Sequence, residues 1–289
     1  MSYCISELYS KVKKPGIYFN LSHEEYHNDL SLSNSGMGKL NYNPLYFWHN
    51  SNMNKGIKSF DTKSLKNGRI FHTLLLEPQK FADEWTIKPD CKTSSLKGYI
   101  GEGDYINLTE AVETLKSHDL LNGIFSEGFP EVSIFWVDET TGVPCKARLD
   151  FLSSHIADLK STTSINEKSL KSSILKFGYD RQAAFYLYAV NNIKSQIKNK
   201  KAEVFDCPDN EKLAKILSSY HDTFIFVHQE ILSPFISRAD ILCPSFLEKG
   251  IDDFSRALLL FKENFSKFGL DKWESGFEKK IGVIQYGID

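Results

Sequence analysis

One short stretch constrains this chain more than any other: Lys146-Ala-Arg148-Leu-Asp150-Phe-Leu-Ser-Ser-His155-Ile-Ala-Asp158-Leu-Lys160-Ser-Thr-Thr163. It reads as two strands, 146–152 and 156–162, joined by a polar Ser-Ser-His connection. Side chains alternate along a strand, so Asp158 and Lys160 point to one face. A three-residue loop pairs Leu152 with Ile156, and that register sets Asp150 opposite Asp158. Two carboxylates and one ammonium then converge on one side of a hairpin. Neighbouring buried carboxylates repel, and one takes up a proton unless a cation joins them. Hard oxygen ligands select Mg²⁺ or Mn²⁺, and Lys160 would stand beside whatever the ion holds. A competing reading is a solvated sheet edge, where Asp and Lys two apart are common. A three-residue hairpin loop also prefers a glycine, which 153–155 lacks.

The 289 residues are enough for one large domain. Hydrophobic residues make up 41% of the chain, which suffices for a sizeable core. The 21 Phe and 13 Tyr argue against disorder. With 35 basic and 37 acidic residues the net charge is −2, so any nucleic-acid binding must use local patches. The five cysteines (Cys4, Cys91, Cys145, Cys207, Cys243) are scattered without a CxxC pair, which points to neither a zinc site nor a disulfide framework. Met1-Ser-Tyr-Cys-Ile-Ser-Glu has no signal-peptide pattern, and no apolar run approaches the roughly 18 residues of a membrane span. The reading is a soluble, reduced, cytoplasmic protein without a membrane segment.

Along the chain, Pro15-Gly16-Ile17-Tyr18 turns into a short strand, and Ser22-His-Glu-Glu25 is a capping box. His23 and His27 sit four apart; without a third ligand they read as surface histidines. Ser33 or Asn34 caps a helix that turns Met37 and Leu40 inward, and Pro44 starts another. The lysine-bearing 50–66 stretch reads as a loop. Residues 67–77 read as a buried helix ended by Pro78. His72 on that helix is a core histidine unless a metal lies near. Ser94–Asp104 reads as a connection, followed by a helix from Thr109 to about Leu121. Residues 130–137 form a strand with Glu131, Ser133, Phe135 and Val137 on one face. Residues 130–162 thus make a three-strand meander. Ser164-Ile-Asn-Glu167 opens a helix that Gly178 breaks, and 179–192 resumes it with Gln182 and Tyr186 on one face. A short helix (211–218), two late strands (223–231 and 234–242) and an amphipathic helix (251–268) follow. No repeat or linker is evident. The reading is one α/β domain over 1–289, with its core at about 15–265 and the tail 269–289 unassigned.

Taken in order, His72, Glu131, Asp150, Asp158-Leu-Lys160 and Gln182-xxx-Tyr186 resemble the PD-(D/E)xK nuclease superfamily. More local patterns are similar to its RecE (exonuclease VIII) type of nuclease domain. They are Ser33-x-Ser35-x-x-x-x-Leu40 followed by Pro44, Gly68-x-x-Phe71-His72-x-x-x-Leu76-Glu77-Pro78, and Ser133-Ile-Phe-Trp136. Lys146-x-Arg148-x-Asp150, Asp158-x-Lys160-Ser-Thr162 and Gln182-Ala-Ala-Phe-Tyr186 complete the set. The resemblance covers roughly residues 15–265. Leu149 stands where relatives often carry proline, and the 194–217 region is longer than their connection.

The resemblance implies a restriction-endonuclease-like core, a central mixed β-sheet flanked by helices. It implies a Mg²⁺-dependent exodeoxyribonuclease, Mn²⁺ substituting, that digests double-stranded DNA from its ends in the 5′→3′ direction. Relatives work as ring-shaped homo-oligomers, trimers or tetramers, and feed a RecT-like single-strand annealing protein. By position, His72, Asp150, Asp158 and the Leu159 carbonyl would hold metal. Lys160 would orient or deprotonate the attacking water. Glu131 would bind a second ion or its water shell, and Gln182 and Tyr186 would position the phosphate or the lysine. Arg148 lies two residues before Asp150 on the same strand face, roughly 6–7 Å away. Its planar fork suits a 5′-phosphate, with Lys146 assigned alongside it; the alternative partner for Arg148 is Glu131 across the sheet. Rival readings are another endonuclease or repair nuclease of the superfamily, and an inactive DNA-binding nuclease fold. Intact Asp150, Asp158 and Lys160 speak against the last.

Overall fold

The computed structural model describes residues 2–55, 62–89 and 98–277. Its strands are β1 (Gly16–Tyr18), β2 (Thr86–Lys88), β3 (Tyr99–Gly101), β4 (Phe129–Val137), β5 (Pro144–Leu152), β6 (Ile156–Thr162), β7 (Glu203–Phe205), β8 (Phe224–Glu230) and β9 (Ser237–Ile241). The helices are α1 (His23–Asn28), α2 (Asn34–Tyr42), α3 (Pro44–His49), α4 (Lys63–Leu76), α5 (Phe81–Glu84), α6 (Glu102–Lys116), α7 (Asp119–Ile124), α8 (Glu167–Phe177), α9 (Tyr179–Lys198), α10 (Asn210–Ser218) and α11 (Pro244–Phe268).

Seven strands form a mixed sheet in the order β7-β1-β4-β5-β6-β8-β9, and β2 and β3 pair separately. The β4–β5–β6 meander is antiparallel, whereas β6 and β8 run parallel. Each sheet face is apolar because strand alternation sends Val132, Ile134, Trp136, Ala147 and Leu149 to one side. There they meet Ala183, Phe185, Ala189 and Val190 of α9 and Phe254, Leu258 and Phe261 of α11. On the other side Phe151, Ala157, Leu159 and Val227 meet Ile70 and Phe71 of α4 and Leu108, Ala111 and Leu115 of α6. This is a central mixed sheet flanked by helices, as the sequence led us to expect.

Several local expectations hold. Ser22 and Glu25 form the capping box of α1, Ser33 caps α2, and Pro44 opens α3. Gly178 takes the left-handed conformation (φ 66°), which lets α8 end and α9 begin without an intervening loop. The hairpin loop needs no glycine because Ser153 accepts from the His155 amide at 3.3 Å and its own amide donates to the His155 carbonyl at 2.9 Å.

Other boundaries differ. The helix expected from Thr109 begins at Glu102, and the Thr109 hydroxyl bonds back to the Tyr105 carbonyl at 2.9 Å. Asn166, not Ser164, caps α8, because Ser164 and Thr162 bond to each other and keep the chain extended. The last helix starts at Pro244, seven residues early, and carries Gly250 inside it. A Cβ on Gly250 would overlap the Asp180 carbonyl oxygen, so only glycine permits this close approach of α9 and α11. The 194–217 region supplies the end of α9, the edge strand β7 and α10. The tail 269–277 folds back: Trp273 is buried against Phe47 and Phe261, and the Ser275 carbonyl accepts from Asn43. Parts of the expected 50–66 and 94–104 loops, Cys91 and the end of the tail lie outside the described residues. No described helix is long and apolar enough to cross a membrane.

Candidate metal centre

The site lies where β5 and β6 part. Their pairing begins as expected, Leu152 with Ile156, but ends after Phe151 and Ala157. The expected Asp150–Asp158 pair is therefore not made. A buried amide needs a partner even where a ladder stops. The Leu159 amide finds a side chain instead of a β5 carbonyl: the Asp150 carboxylate accepts from it at 2.7 Å. Asp150 turns toward α4, where its Oδ2 lies 3.6 Å from His72 Nδ1. Asp158 and Lys160 point the other way, toward α9. The carboxylates thus approach the gap from both faces of the sheet, not from one side of a hairpin.

On the α9 side, Lys160 Nζ lies 2.5 Å from Asp158 Oδ2. Gln182 bridges the pair: its amide nitrogen donates to Asp158 Oδ1 at 2.5 Å, and its oxygen accepts from Lys160 at 3.0 Å. Tyr179, one turn before Gln182, places its ring 4.6 Å from Lys160 Nζ, a cation–π contact. Burial pushes the Lys160 ammonium down, but Asp158, Tyr179 and Asp150 more than offset this and its pKa is raised. Lys160 is therefore an ammonium at neutral pH. Tyr186 follows Gln182 by one turn and is buried, packed on Phe224.

On the α4 side, His72 Nε2 meets the Leu159 carbonyl at 2.8 Å. The carbonyl can only accept, so Nε2 carries the hydrogen. Nδ1 then faces the carboxylates of Asp150 at 3.6 Å and Glu131 at 3.8 Å. The Leu159 carbonyl, expected among the metal ligands, here orients His72. Glu131 sits in β4 at φ 51°. That left-handed conformation costs a non-glycine residue about 1–2 kcal/mol. Val132 pairs with Leu149 and Pro130 with Phe151, so the ladder closes around this kink. Arg148 donates to Glu131 at 2.7 Å and to the Leu21 carbonyl at 3.1 Å. A 5′-phosphate at Arg148 would compete with Glu131.

Lys146 is not at the site surface. It is buried, and its ammonium donates to the carbonyls of Tyr26 (2.6 Å) and Asp29 (2.8 Å), tying down the end of α1. Burial lowers its pKa to about 8. His23 and His27 meet on α1 with ring centroids 4.0 Å apart and planes tilted by 45°. Burial, then His23, Lys146, Arg148 and Arg69, push His27 down to about 3.

The acids and the imidazole perturb one another strongly. Burial and the Asp158 charge raise Asp150 to about 7. Burial disfavours the His72 cation, yet Asp150, Glu131 and Asp158 outweigh it and bring His72 to about 9. Burial raises Glu131, but His72 and Arg148 outweigh it and hold Glu131 at about 2. Among the described residues, His72, Glu131 and Asp150 form one group whose ligand atoms lie within 4.8 Å of one another. Asp158 Oδ2 is buried, touches Lys160 Nζ and accepts no well-aligned hydrogen bond from any described residue. Two carboxylates and an imidazole suit a hard divalent ion. When no ion is bound, the His72 proton supplies the balancing charge.

Sequence reasoning did not single out Tyr179. It carried a signal, helical spacing: Tyr179 is three residues before Gln182.

Among curated proteins, no match to this chain was found. A crystal structure from Eubacterium rectale described as a candidate exonuclease matches with a TM-score of 0.57 and 16% identity, over 85% of this chain and 87% of that one. It shares the fold. The family model described as a PDDEXK-like domain of unknown function (DUF3799) matches residues 48–205, from the end of α3 through β7, and so includes the whole parted hairpin and its helices. With more than half of its length matched, and the matched region carrying His72, Glu131, Asp150, Asp158, Lys160 and Gln182, the chain belongs to this PDDEXK-like family.

Proposed function

We propose that this protein is a divalent-metal-dependent exodeoxyribonuclease of the RecE type. It hydrolyses phosphodiester bonds from the ends of double-stranded DNA, runs 5′→3′ and leaves 3′ single strands for recombination. The observation that carries the reading is the parted β5–β6 hairpin. It delivers Asp150 to His72 and Glu131 on one side, and Asp158 to Lys160 and Gln182 on the other.

His72, Glu131 and Asp150 would hold the ion, with Asp158 Oδ2 at its border. A bound Mg²⁺ or Mn²⁺ would supply charge neutralisation at the phosphoryl group and a nucleophile at neutral pH. The chain's own residues do the rest. Lys160 enters as an ammonium, so it orients the attacking water and screens developing negative charge before it moves any proton. Gln182 fixes both Asp158 and Lys160, which keeps the ammonium from swinging out to solvent. Tyr179 holds the lysine from below. Arg148 is the cation bonded to Glu131 and the one we assign to the 5′-phosphate. A ring-shaped homo-oligomer and a single-strand annealing partner belong to the same proposal.

End-labelled linear duplex, nicked circle and covalently closed circle, each with Mg²⁺ and with EDTA, test it. We expect digestion of the linear duplex with Mg²⁺ and none with EDTA. Rapid cutting of closed circles would make the protein an endonuclease. Light scattering of the purified protein reads the oligomer.

A further inference from the structure

Helix α8 ends beside the site in an exposed aromatic residue, Phe177, at 53% exposure, with Leu175 also exposed at 61%. Phe177 is not isolated. Its ring stacks with Tyr179 (5.9 Å, 28°), Tyr179 with Phe226 (5.3 Å, 24°), and Phe226 with His228 (6.0 Å, 22°). Four near-parallel rings thus run from buried His228 to the surface. The Lys160 ammonium lies against the second ring from the outside. Two short steps separate Phe177 from the lysine assigned to the scissile bond.

The surrounding charge fits a polynucleotide. Exposed Lys168, Lys171 and Lys176 lie on α8, and Lys176 Nζ sits 5.3 Å from the Phe177 ring centroid. The one acid on this helix, Glu167, is paired with Lys171 at 2.8 Å. Aromatic rings interleaved with cations are how proteins hold single-stranded nucleic acid, because every base has a face to stack.

We infer, resting on the DNA-cleavage reading, that Phe177 is the stacking platform for an unpaired base of the strand held at the metal centre, with Lys176 gripping its backbone. The base extends the ring column by one member. The site then favours ends already frayed to single strand over fully paired ones.

The test uses a short single-stranded DNA carrying 2-aminopurine, whose fluorescence falls when the base stacks, with Ca²⁺ in place of Mg²⁺. Wild-type protein should quench the probe. Phe177→Ala should bind it roughly tenfold more weakly and without quenching, and Phe177→Trp should restore both. Lys176→Gln should reduce the salt dependence of binding by about 0.7 in log–log slope. Equal affinity and quenching for wild type and Phe177→Ala would overturn the platform. So would a wild type that takes up no single strand, which would leave α8 as a protein-docking face. Hydrolysis distinguishes the two readings. Phe177-dependent quenching without cleavage by Mg²⁺ or Mn²⁺ sinks the nuclease assignment and keeps the platform. Cleavage without such quenching does the reverse.

Discussion

Metal binding should displace a proton from His72. The His72 Nε2 hydrogen is committed to the Leu159 carbonyl, so the second proton of the imidazolium sits on Nδ1, facing Asp150 and Glu131. An ion held by those carboxylates and Nδ1 must take that proton's place, because a ligating imidazole is neutral. With His72 at about 9, Asp150 at about 7 and Glu131 at about 2, His72 alone is largely protonated at pH 8. Binding at pH 8 should therefore release about one proton, and at pH 6.5 between one and two as Asp150 joins. From pH 8 to pH 7 the apparent affinity should fall roughly 15-fold, and from pH 7 to pH 6 by roughly another 50-fold. Calorimetric titration with Mn²⁺ in two buffers of different ionisation enthalpy counts the protons directly. In His72→Gln the imidazolium that lowers Asp150 and Glu131 is gone, so any protons released at pH 8 would come from those carboxylates. A wild type that releases none there would refute the reasoning.

The same group sets a stability window in EDTA. The folded-state value of His72, about 9, lies above its ordinary 6.5. The stability it contributes is therefore complete below that ordinary value and disappears as pH rises through the folded one. Thermal melts of wild type and His72→Gln should converge across that window. Gln182→Leu removes the bridge between Asp158 and Lys160. It should lower kcat with little change in KM, at a stability cost of about 1–3 kcal/mol. Lys146 is a buried ammonium that holds carbonyls at the end of α1. Lys146→Met should leave DNA affinity unchanged while destabilising the fold by about 2–3 kcal/mol, read by urea denaturation. Arg148→Ala should slow digestion of 5′-phosphorylated ends more than that of 5′-hydroxyl ends; equal loss on both would assign Arg148 to holding Glu131 in place.

Much of this site was legible in the chain because strand alternation and helical spacing act over a few residues. The Leu152–Ile156 register and the shared face of Asp158 and Lys160 follow from that local geometry, whereas Gln182 was placed at the site only by the family resemblance. The parting of β5 and β6 was not legible. It depends on Asp150 replacing a backbone partner for Leu159, a contact between strands that no residue type announces. The left-handed Glu131 was hidden for a related reason, since glycine, not glutamate, is the usual mark of that conformation. Lys146 reads as a basic residue beside Arg148, and only the packing of α1 over β5 converts it into a buried clamp. Helix starts were missed where distant contacts decide them, as in α11, whose first turns carry Gly250 against Asp180.

The most direct test of the central claim pairs one binding and one cleavage measurement on Lys160→Ala. Lys160 stands beside the metal ligands without being one. The variant should bind Mn²⁺ at least as tightly as the wild type, because a neighbouring cation is gone, yet release no nucleotides from linear duplex DNA under Mg²⁺ conditions in which the wild type does. A wild type inert with both Mg²⁺ and Mn²⁺, or a Lys160→Ala protein that cleaves at the wild-type rate, would contradict the account.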